Sequence, residues 1–312
     1  MSNLRTTLKD YLNLRRQLGF KLRDEASLLP QFILFVEQQD ASYITRDLAL
    51  RWAMQPKDTL PAWWAARLRM VRCFAQYLST ENPRTEIPPA GLLPHHYHRR
   101  APYIYSDEEI KRLILAATQL SSTRGLRPYT YATLFGLLAV TGMRMREPIH
   151  LHCKEVDLKD GILTIHQTKF GKSRLVPIHP STQRILRQYE SRRNLLCPNP
   201  QNPHFFLSDC GTRLTGCTVR QTFVKLSRHI GLRGACDSHG PRLHDFRHTF
   251  AVRTILNWYR AGIDVERHIP KLATYLGHTH VSDTYWYLSA VPELMQLVAM
   301  RLDHTEGGGT LL

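Results

Sequence analysis

The chain has 312 residues, 43% of them hydrophobic, which suggests two domains with sizeable cores; no apolar run reaches the length of a membrane span. Lys and Arg number 42 against 26 Asp and Glu, so the net charge of +16 favours a polyanionic partner. Nucleic acid is the first candidate and an anionic membrane surface the second, while a basic but otherwise ordinary enzyme remains open. Six scattered cysteines without a CxxC pair, and an N-terminus without a signal core, indicate a cytoplasmic protein with neither disulfides nor a structural metal.

The first ninety or so residues show helical periodicity throughout. Apolar residues predict a first helix that stops at Gly19 and a second helix ending near Glu37. A third helix is expected to begin after Thr45 as N-cap, and a fourth has Pro61 in its first turn. On the fourth helix we expect Arg67, Arg69 and Arg72 to face outward, either toward phosphates or simply toward solvent. The apolar positions that predict these helices are Leu4, Leu8, Tyr11, Leu12, Leu18, Phe32, Phe35, Val36, Leu48, Trp52, Trp64, Leu68, Val71, Ala75 and Leu78.

A proline-rich stretch follows, from about residue 82 to Pro102, and contains the basic, His-rich patch His95–Arg100. Prolines at this density prevent a continuous helix and favour an extended, semi-rigid connector. The domain boundary is therefore predicted here, which gives a helical domain over residues 1–98 and a second domain over residues 99–312.

The second domain is predicted to be mainly helical with one small antiparallel sheet. Ser106 and Glu109 form a capping-box pattern, and an apolar helix is expected over Tyr131–Val140 after a loop around Arg124–Pro128. Three short strands with two tight turns then predict a β-meander, after which helices resume near Ser181. A last helix, Pro292–Leu302, has one apolar face that can pack on its own chain or on a neighbour. The predicted strands are Glu155–Leu158, Ile162–His166 and Arg174–Ile178.

Cations that can hold a phosphate recur along this domain. Arg144 follows the helix stop at Thr141-Gly142, and Glu147 lies one turn away, where it can orient the guanidinium. Lys169 lies at the tip of the second β-turn. In the run His244-Asp245-Phe246-Arg247-His248, His244 and Arg247 share a helix face, whereas His248 falls off that face and is interpreted as structural.

The segment LGHTHVSDTYWY completes the set, because it places His278 nine residues before Tyr287. A phenol can act as a nucleophile toward phosphorus when neighbouring groups take its proton or offset the resulting charge. Carboxylate clusters for metals and Gly-rich phosphate loops are absent from the sequence. Two arginines, a lysine, two histidines and a tyrosine therefore predict metal-free chemistry on a phosphodiester.

The motifs TGMRMREPIHL, TKFGKSRLVPIH, HDFRHTFA and LGHTHVSDTYWY resemble those of the tyrosine recombinases, or phage-integrase family, over roughly residues 135–290. The helical N-terminal region is similar to that family's core-binding domain, and the remainder to its catalytic domain. The resemblance implies that Tyr287 attacks a DNA phosphate to give a 3′-phosphotyrosine, and that neither metal, ATP nor another cofactor takes part. It further implies that Lys169 is the general acid, assisted by His244, and that Arg144, Arg247 and His278 hold the phosphate.

The same resemblance implies partners and leaves alternatives. Family members work as tetramers on paired duplex DNA sites, some with related recombinases, so a homo-tetramer on DNA is expected, most simply from a mobile element and associated with the nucleoid. Tyr285 lies two residues before Tyr287 and is a second candidate nucleophile. A DNA-binding accessory protein that no longer cuts, and a type IB topoisomerase, are the alternative functions.

Overall fold

The computed structural model describes residues 4–94, 101–166, 173–198 and 202–290. Two compact units are present, Met1–Arg100 and Ala101–Leu312. Within the described ranges, no helix is long and apolar enough to cross a membrane.

Over residues 4–94, the first unit forms four helices around one apolar core. Thr45 caps the third helix as predicted, accepting a hydrogen bond from the backbone N–H of Leu48 at 3.2 Å, and Pro61 opens the fourth. Leu18, expected on the first helix, lies beyond its end and is exposed. The four helices are α1 Leu4–Gln17, α2 Arg23–Glu37, α3 Arg46–Met54 and α4 Pro61–Leu78.

The prediction that Arg67 faces outward is wrong. Its side chain is buried, with the guanidinium carbon 3.7 Å from the centroid of the Trp52 ring and Nη2 donating to the Trp52 carbonyl at 2.8 Å. The long aliphatic stem allows an arginine within the apolar stripe of α4 to remain buried, because its charged end finds an aromatic face and a carbonyl.

After α4 the chain is non-helical over residues 82–94, as the prolines require, and part of it is bound to the first unit. The backbone N–H of Glu86 donates to the carbonyl of Ile44 at 2.8 Å, and the Glu86 carboxylate accepts from Arg46. The basic patch His95–Arg100 lies outside the described residues.

The second unit is mostly helical with a three-stranded antiparallel sheet in the order β1-β2-β3, which confirms the predicted fold class. The capping box of Ser106 and Glu109 is present. The elements are α5 Asp107–Thr118, α6 Leu126–Thr141, α7 Arg146–His150, β1 Val156–Asp157, β2 Ile162–Ile165, β3 Arg174–Pro177, α8 Pro180–Leu196, α9 Gly216–His229, α10 Asp245–Arg260, α11 Val265–Leu276 and α12 Ser282–Ala290. The predicted helix Pro292–Leu302 lies outside the described residues.

Helix α6 begins five residues earlier than the sequence predicts. Pro128 is its third residue, a position where a proline is tolerated because the missing N–H has no partner within the helix. The carboxylate of Asp209 accepts hydrogen bonds from the N–H groups of Thr123, Leu126 and Arg127, at 2.6, 3.2 and 3.3 Å. A cap supplied from 80 or more residues away cannot be read from the local sequence.

Candidate active site

Arg144 is placed by the end of α6. Gly142 ends the helix with φ +60° and its N–H donates to the Leu138 carbonyl at 3.0 Å. Two residues later, Arg144 donates from its backbone N–H and from Nη1 to the Glu147 carboxylate, at 2.8 and 3.2 Å. Its side chain retains 24% exposure, so a ligand can still reach the guanidinium.

Glu147 is a buried carboxylate shared by two arginines. Arg174, at the start of β3, donates to both of its oxygens at 2.9 and 2.8 Å, and Arg174 Nε donates to the Tyr275 carbonyl at 2.7 Å. Burial alone would raise the pKa of Glu147, but the hydrogen bonds and charges of Arg174 and Arg144 outweigh it and lower the pKa. Glu147 therefore stays ionised at neutral pH and joins the sheet to the end of α6.

Arg247, on α10, is the most deeply buried cation of the cluster, with 1% of its surface exposed. Nη1 donates to the Gly142 carbonyl at 3.0 Å and Nη2 to the Leu276 carbonyl at 2.6 Å. Burial, and then the nearby charge of Arg144, lower the pKa of Arg247 to about 10, which leaves it a cation at neutral pH.

Both arginines bind the same helix end. Arg247 donates to the Leu276 carbonyl and Arg144 Nη2 donates to the next carbonyl, that of Gly277, at 2.8 Å. Gly277 ends α11 with φ +69°, and His278 follows directly. The His278 Nδ1 lies 2.6 Å from Thr284 Oγ1, which orients the ring toward α12. Arg144, Arg247 and His278 thus lie around one turn.

Tyr287 projects from α12 into this cluster and is 2% exposed. Its ring lies roughly parallel to that of His278, with centroids 6.3 Å apart, and its hydroxyl lies 3.3 Å from His248 Nδ1. Tyr285, two residues earlier on the helix, is 42% exposed. The two tyrosines therefore occupy different environments, and only Tyr287 lies against the histidines.

His244 lies directly before α10 at the edge of the cluster. The His244 residue is accessible to solvent on one side, and neighbouring protein atoms surround the rest of it. Its ring packs edge-on against His248, with centroids 4.8 Å apart. The surrounding protein and the positive charge of Arg247 lower the pKa of His244 to about 4. A neutral imidazole is consequently expected here at neutral pH.

The structure thus brings together five of the six predicted residues, Arg144, His244, Arg247, His278 and Tyr287, while Lys169 lies outside the described residues. Sequence reasoning missed two neighbours. His248 was interpreted as structural, although its spacing of four residues from His244 was a signal that the two rings are adjacent on the helix. Arg174 gave no local signal, because a strand arginine is ordinarily solvated.

The arrangement has the chemistry of an anion site beside a phenol. Two guanidiniums on one turn can bind the oxygens of a phosphate, and the imidazoles next to Tyr287 are groups that can accept or donate a proton. Among the described residues, no group of His, Cys, Asp or Glu is arranged to hold a metal ion.

Gly142 offers a test of how tightly this turn is specified. A Cβ at Gly142 would lie 2.7 Å from Phe250 Cδ1, and the backbone has a positive φ. We expect Gly142→Ala to lower the free energy of unfolding by about 2–3 kcal/mol, combining left-handed strain with overpacking. Gly262→Ala is the matched control, since Gly262 has φ +69° with no atom within 4 Å of the added Cβ.

For Gly262→Ala the expected loss is the backbone contribution of about 1 kcal/mol. Urea denaturation of both variants gives the comparison. Equal losses would show that the contact with Phe250 relaxes without cost.

The Phage integrase family model matches residues 104–293. The provisionally named integrase/recombinase y4rB of Sinorhizobium fredii is 50% identical over 97% of this chain and 98% of its own length. Tyrosine recombinase XerD of Vibrio cholerae is 28% identical over 74% of this chain and 72% of its own. Among solved structures, the Tn1549 transposon integrase in complex with transposon right-end DNA aligns with a TM-score of 0.66 at 14% identity, covering 95% of this chain and 99% of that one. At that identity the likeness concerns the fold.

Proposed function

The chain belongs to the phage integrase family, the tyrosine recombinases, and we propose that it is a site-specific DNA recombinase that cleaves and rejoins strands through a 3′-phosphotyrosine on Tyr287. The observation that carries this proposal is the meeting of Arg144, Arg247, His278 and Tyr287 around the end of α11. The arginines donate to the consecutive carbonyls of Leu276 and Gly277, and the ring of His278 lies along that of Tyr287.

In the proposed reaction, the scissile phosphate binds the two guanidiniums and His278. Arginine suits this role because its planar group donates two parallel hydrogen bonds to phosphate oxygens and keeps its charge. As negative charge builds on the non-bridging oxygens, the fixed cations stabilise it without reorganising. Glu147 and Arg174 keep Arg144 in place, since the buried carboxylate contacts both arginines.

The covalent step exchanges one phosphodiester for another. The Tyr287 oxygen forms a bond to phosphorus while the bond to the 5′-oxygen breaks, and the leaving oxygen takes a proton. We assign that proton to Lys169, with His244 assisting, on the resemblance of the TKFGKSRLVPIH and HDFRHTFA motifs to those of the family. A 5′-hydroxyl from a second strand reverses the step, so phosphodiester bond energy is retained.

Two observations favour Tyr287 over Tyr285 as the nucleophile. The Tyr287 hydroxyl lies within hydrogen-bonding distance of His248, and a phenolate formed there would be stabilised by the charge of Arg247. Tyr285, by contrast, is 42% exposed.

We further propose duplex recombination sites as the substrate and a homo-tetramer, alone or with related recombinases, as the active assembly. The solved lambda integrase tetramer bound to a Holliday junction, whose fold this chain resembles, supports the assembly. The first unit is assigned to grip the DNA core site and the second to carry out catalysis. We also propose a cytoplasmic location at the nucleoid, which action on DNA supports.

The test uses nicked suicide duplexes with a randomised central segment, since the natural site is unidentified. The short strand released on cleavage diffuses away and traps the covalent intermediate. We expect a protein–DNA adduct that survives SDS and forms in EDTA, and sequencing the trapped strands would define the site. Binding without any adduct would instead indicate an accessory protein that no longer cuts, and relaxation of supercoiled DNA lacking the site would indicate a topoisomerase.

Binding to the selected site is expected to weaken steeply with salt, because the net charge of +16 implies that phosphate contacts dominate the affinity. If about six phosphates are neutralised, the affinity falls roughly 10³-fold between about 50 and 200 mM salt. Fluorescence anisotropy over that range measures the slope. A flat salt dependence would contradict a phosphate-dominated interface.

A further inference from the structure

We propose that His248 is the residue that takes the phenolic proton of Tyr287 during cleavage and returns it during rejoining. This inference rests on the proposed function and adds a residue to which the sequence had assigned only a structural role. The observation is the distance of 3.3 Å between His248 Nδ1 and the Tyr287 hydroxyl.

The location of the pair makes a side-chain proton acceptor necessary. Tyr287 and His248 are 2% and 4% exposed, so bulk water does not reach the hydroxyl in this arrangement. A phenol with an ordinary pKa near 10 is almost fully protonated at neutral pH, and an uncharged phenol is a weak nucleophile. An imidazole nitrogen in hydrogen-bond contact with the hydroxyl can remove that proton as the bond to phosphorus forms.

The position of His248 is fixed from several sides. Its ring packs edge-on against Trp286 and Tyr287, with centroid distances of 5.4 and 5.5 Å, and against His244 at 4.8 Å. It lies in the first turns of α10, directly after Arg247, so the same helix carries a phosphate-binding cation and the proposed base. Phosphate binding and deprotonation of the nucleophile are therefore coupled through one rigid element.

Several charged and titratable groups lie around the cluster to which His248 belongs. They come from α10, from the segment before it, from the ends of α6 and α11, and from α7, β3 and α12. These groups are His244, Asp245, Arg247, Arg242, Arg144, Glu147, Arg174, His278 and Tyr287.

Each proton that moves in the proposed reaction has a donor and an acceptor. In cleavage, the proton of Tyr287 passes to His248 Nδ1, the phenolate oxygen forms the bond to phosphorus, and the expelled 5′-oxygen takes a separate proton from the general acid. In rejoining, the incoming 5′-hydroxyl returns its proton to that acid, and the departing phenolate recovers its proton from His248. Both directions therefore need the same imidazole.

The test compares His248→Asn and His248→Ala with the wild type on the trapped-adduct site, in single-turnover cleavage at several pH values. Asparagine keeps a polar atom near the position of Nδ1 but cannot accept a proton. At neutral pH we expect His248→Asn to slow adduct formation about 100-fold. The defect should shrink as the pH rises toward about 10, the ordinary pKa of a phenol, because a growing fraction of the enzyme then carries an ionised phenol that needs no base. His268→Asn is the matched control, since His268 is a half-buried histidine on α11 whose Nδ1 lies 2.8 Å from the Asp264 carbonyl and whose ring packs near Trp258, outside the proposed site.

A second readout is chemical rescue. His248→Ala opens space for an imidazole, and added imidazole should restore cleavage, whereas pyrazole, which has the same shape but is far less basic, should not. DNA affinity is expected to stay within about twofold in all three variants, because His248 contacts the tyrosine rather than the phosphate.

Five results would overturn the proposal. Unchanged cleavage in His248→Asn would show that the contact is incidental, and a loss independent of pH, or equal rescue by pyrazole, would show a packing role. Faster cleavage would show that His248 restrains Tyr287 in the free protein. The absence of an adduct from the wild type itself would reject the proposed function and this inference together, whereas the first four results leave the recombinase assignment intact.

Discussion

Tyr287→Phe is expected to reduce covalent adduct formation to background, a loss of more than about 10⁴-fold, because it deletes the attacking oxygen and leaves the ring. The ring of Tyr287 is buried beside His278, His248 and Trp286, and phenylalanine preserves those contacts. DNA binding should therefore persist at close to the wild-type affinity. SDS gels of the trapped-strand reaction measure the adduct, and fluorescence anisotropy measures binding.

Tyr285→Phe is the matched control for this experiment. It removes a hydroxyl from the same helix, but from a side chain that is 42% exposed. We expect it to form the adduct at nearly the wild-type rate. The reverse pattern, with an adduct in Tyr287→Phe and none in Tyr285→Phe, would move the nucleophile two residues along α12.

Glu147→Gln is expected to have the largest effect on stability among single changes at the site. The carboxylate balances the positive charge of Arg174, whose side chain is 8% exposed, and contacts Arg144 as well. An uncharged amide leaves these guanidiniums close to Arg247 without a counter-charge. Breaking a buried ion pair in this way costs about 3–5 kcal/mol. Urea denaturation of the transition belonging to the second unit measures the loss, and single-turnover cleavage should fall with it as Arg144 loses its orientation.

The pH dependence of the stability difference between the wild type and Glu147→Gln shows whether that difference comes from charge. Because the folded-state pKa of Glu147 is lower than its ordinary value, its stabilisation is fully present above about pH 4.5 and disappears as the pH falls through the folded-state pKa. The stabilities of the wild type and Glu147→Gln should therefore converge at acidic pH. A difference that stays constant with pH would attribute the loss to packing rather than charge.

A double variant separates the charge from its partner. Glu147→Gln with Arg174→Gln removes both members of the buried pair, so part of the stability lost in the single variant should return. Strictly additive losses would show that Arg174 and Glu147 do not stabilise each other. Arg51→Gln provides a surface reference, because the exposed pair of Arg51 and Asp47 is expected to contribute below about 1 kcal/mol.

Local sequence was sufficient to predict the structural features whose contacts join residues close together in the chain. The N-cap at Thr45, the capping box of Ser106 and Glu109, and the helix stop at Gly142 depend on residues within one helical turn. The three-stranded meander follows from alternation and tight turns, and its strands pair with their neighbours in order. The family motifs similarly named the arginines, histidines and tyrosine, because each motif is short and contiguous.

Contacts between residues that are far apart in the chain were decided by the tertiary structure alone. The buried end of Arg67 is satisfied by Trp52 on another helix, and the start of α6 is fixed by Asp209. The same holds at the site, where Arg174 from the sheet binds Glu147, and His248 reaches Tyr287, 39 residues away. Sequence thus determined which residue types are the candidates for the proposed phosphate chemistry. Only the packing of α10 against α12 determined which imidazole contacts the phenol, because hydrogen bonds depend on distances that sequence spacing does not fix.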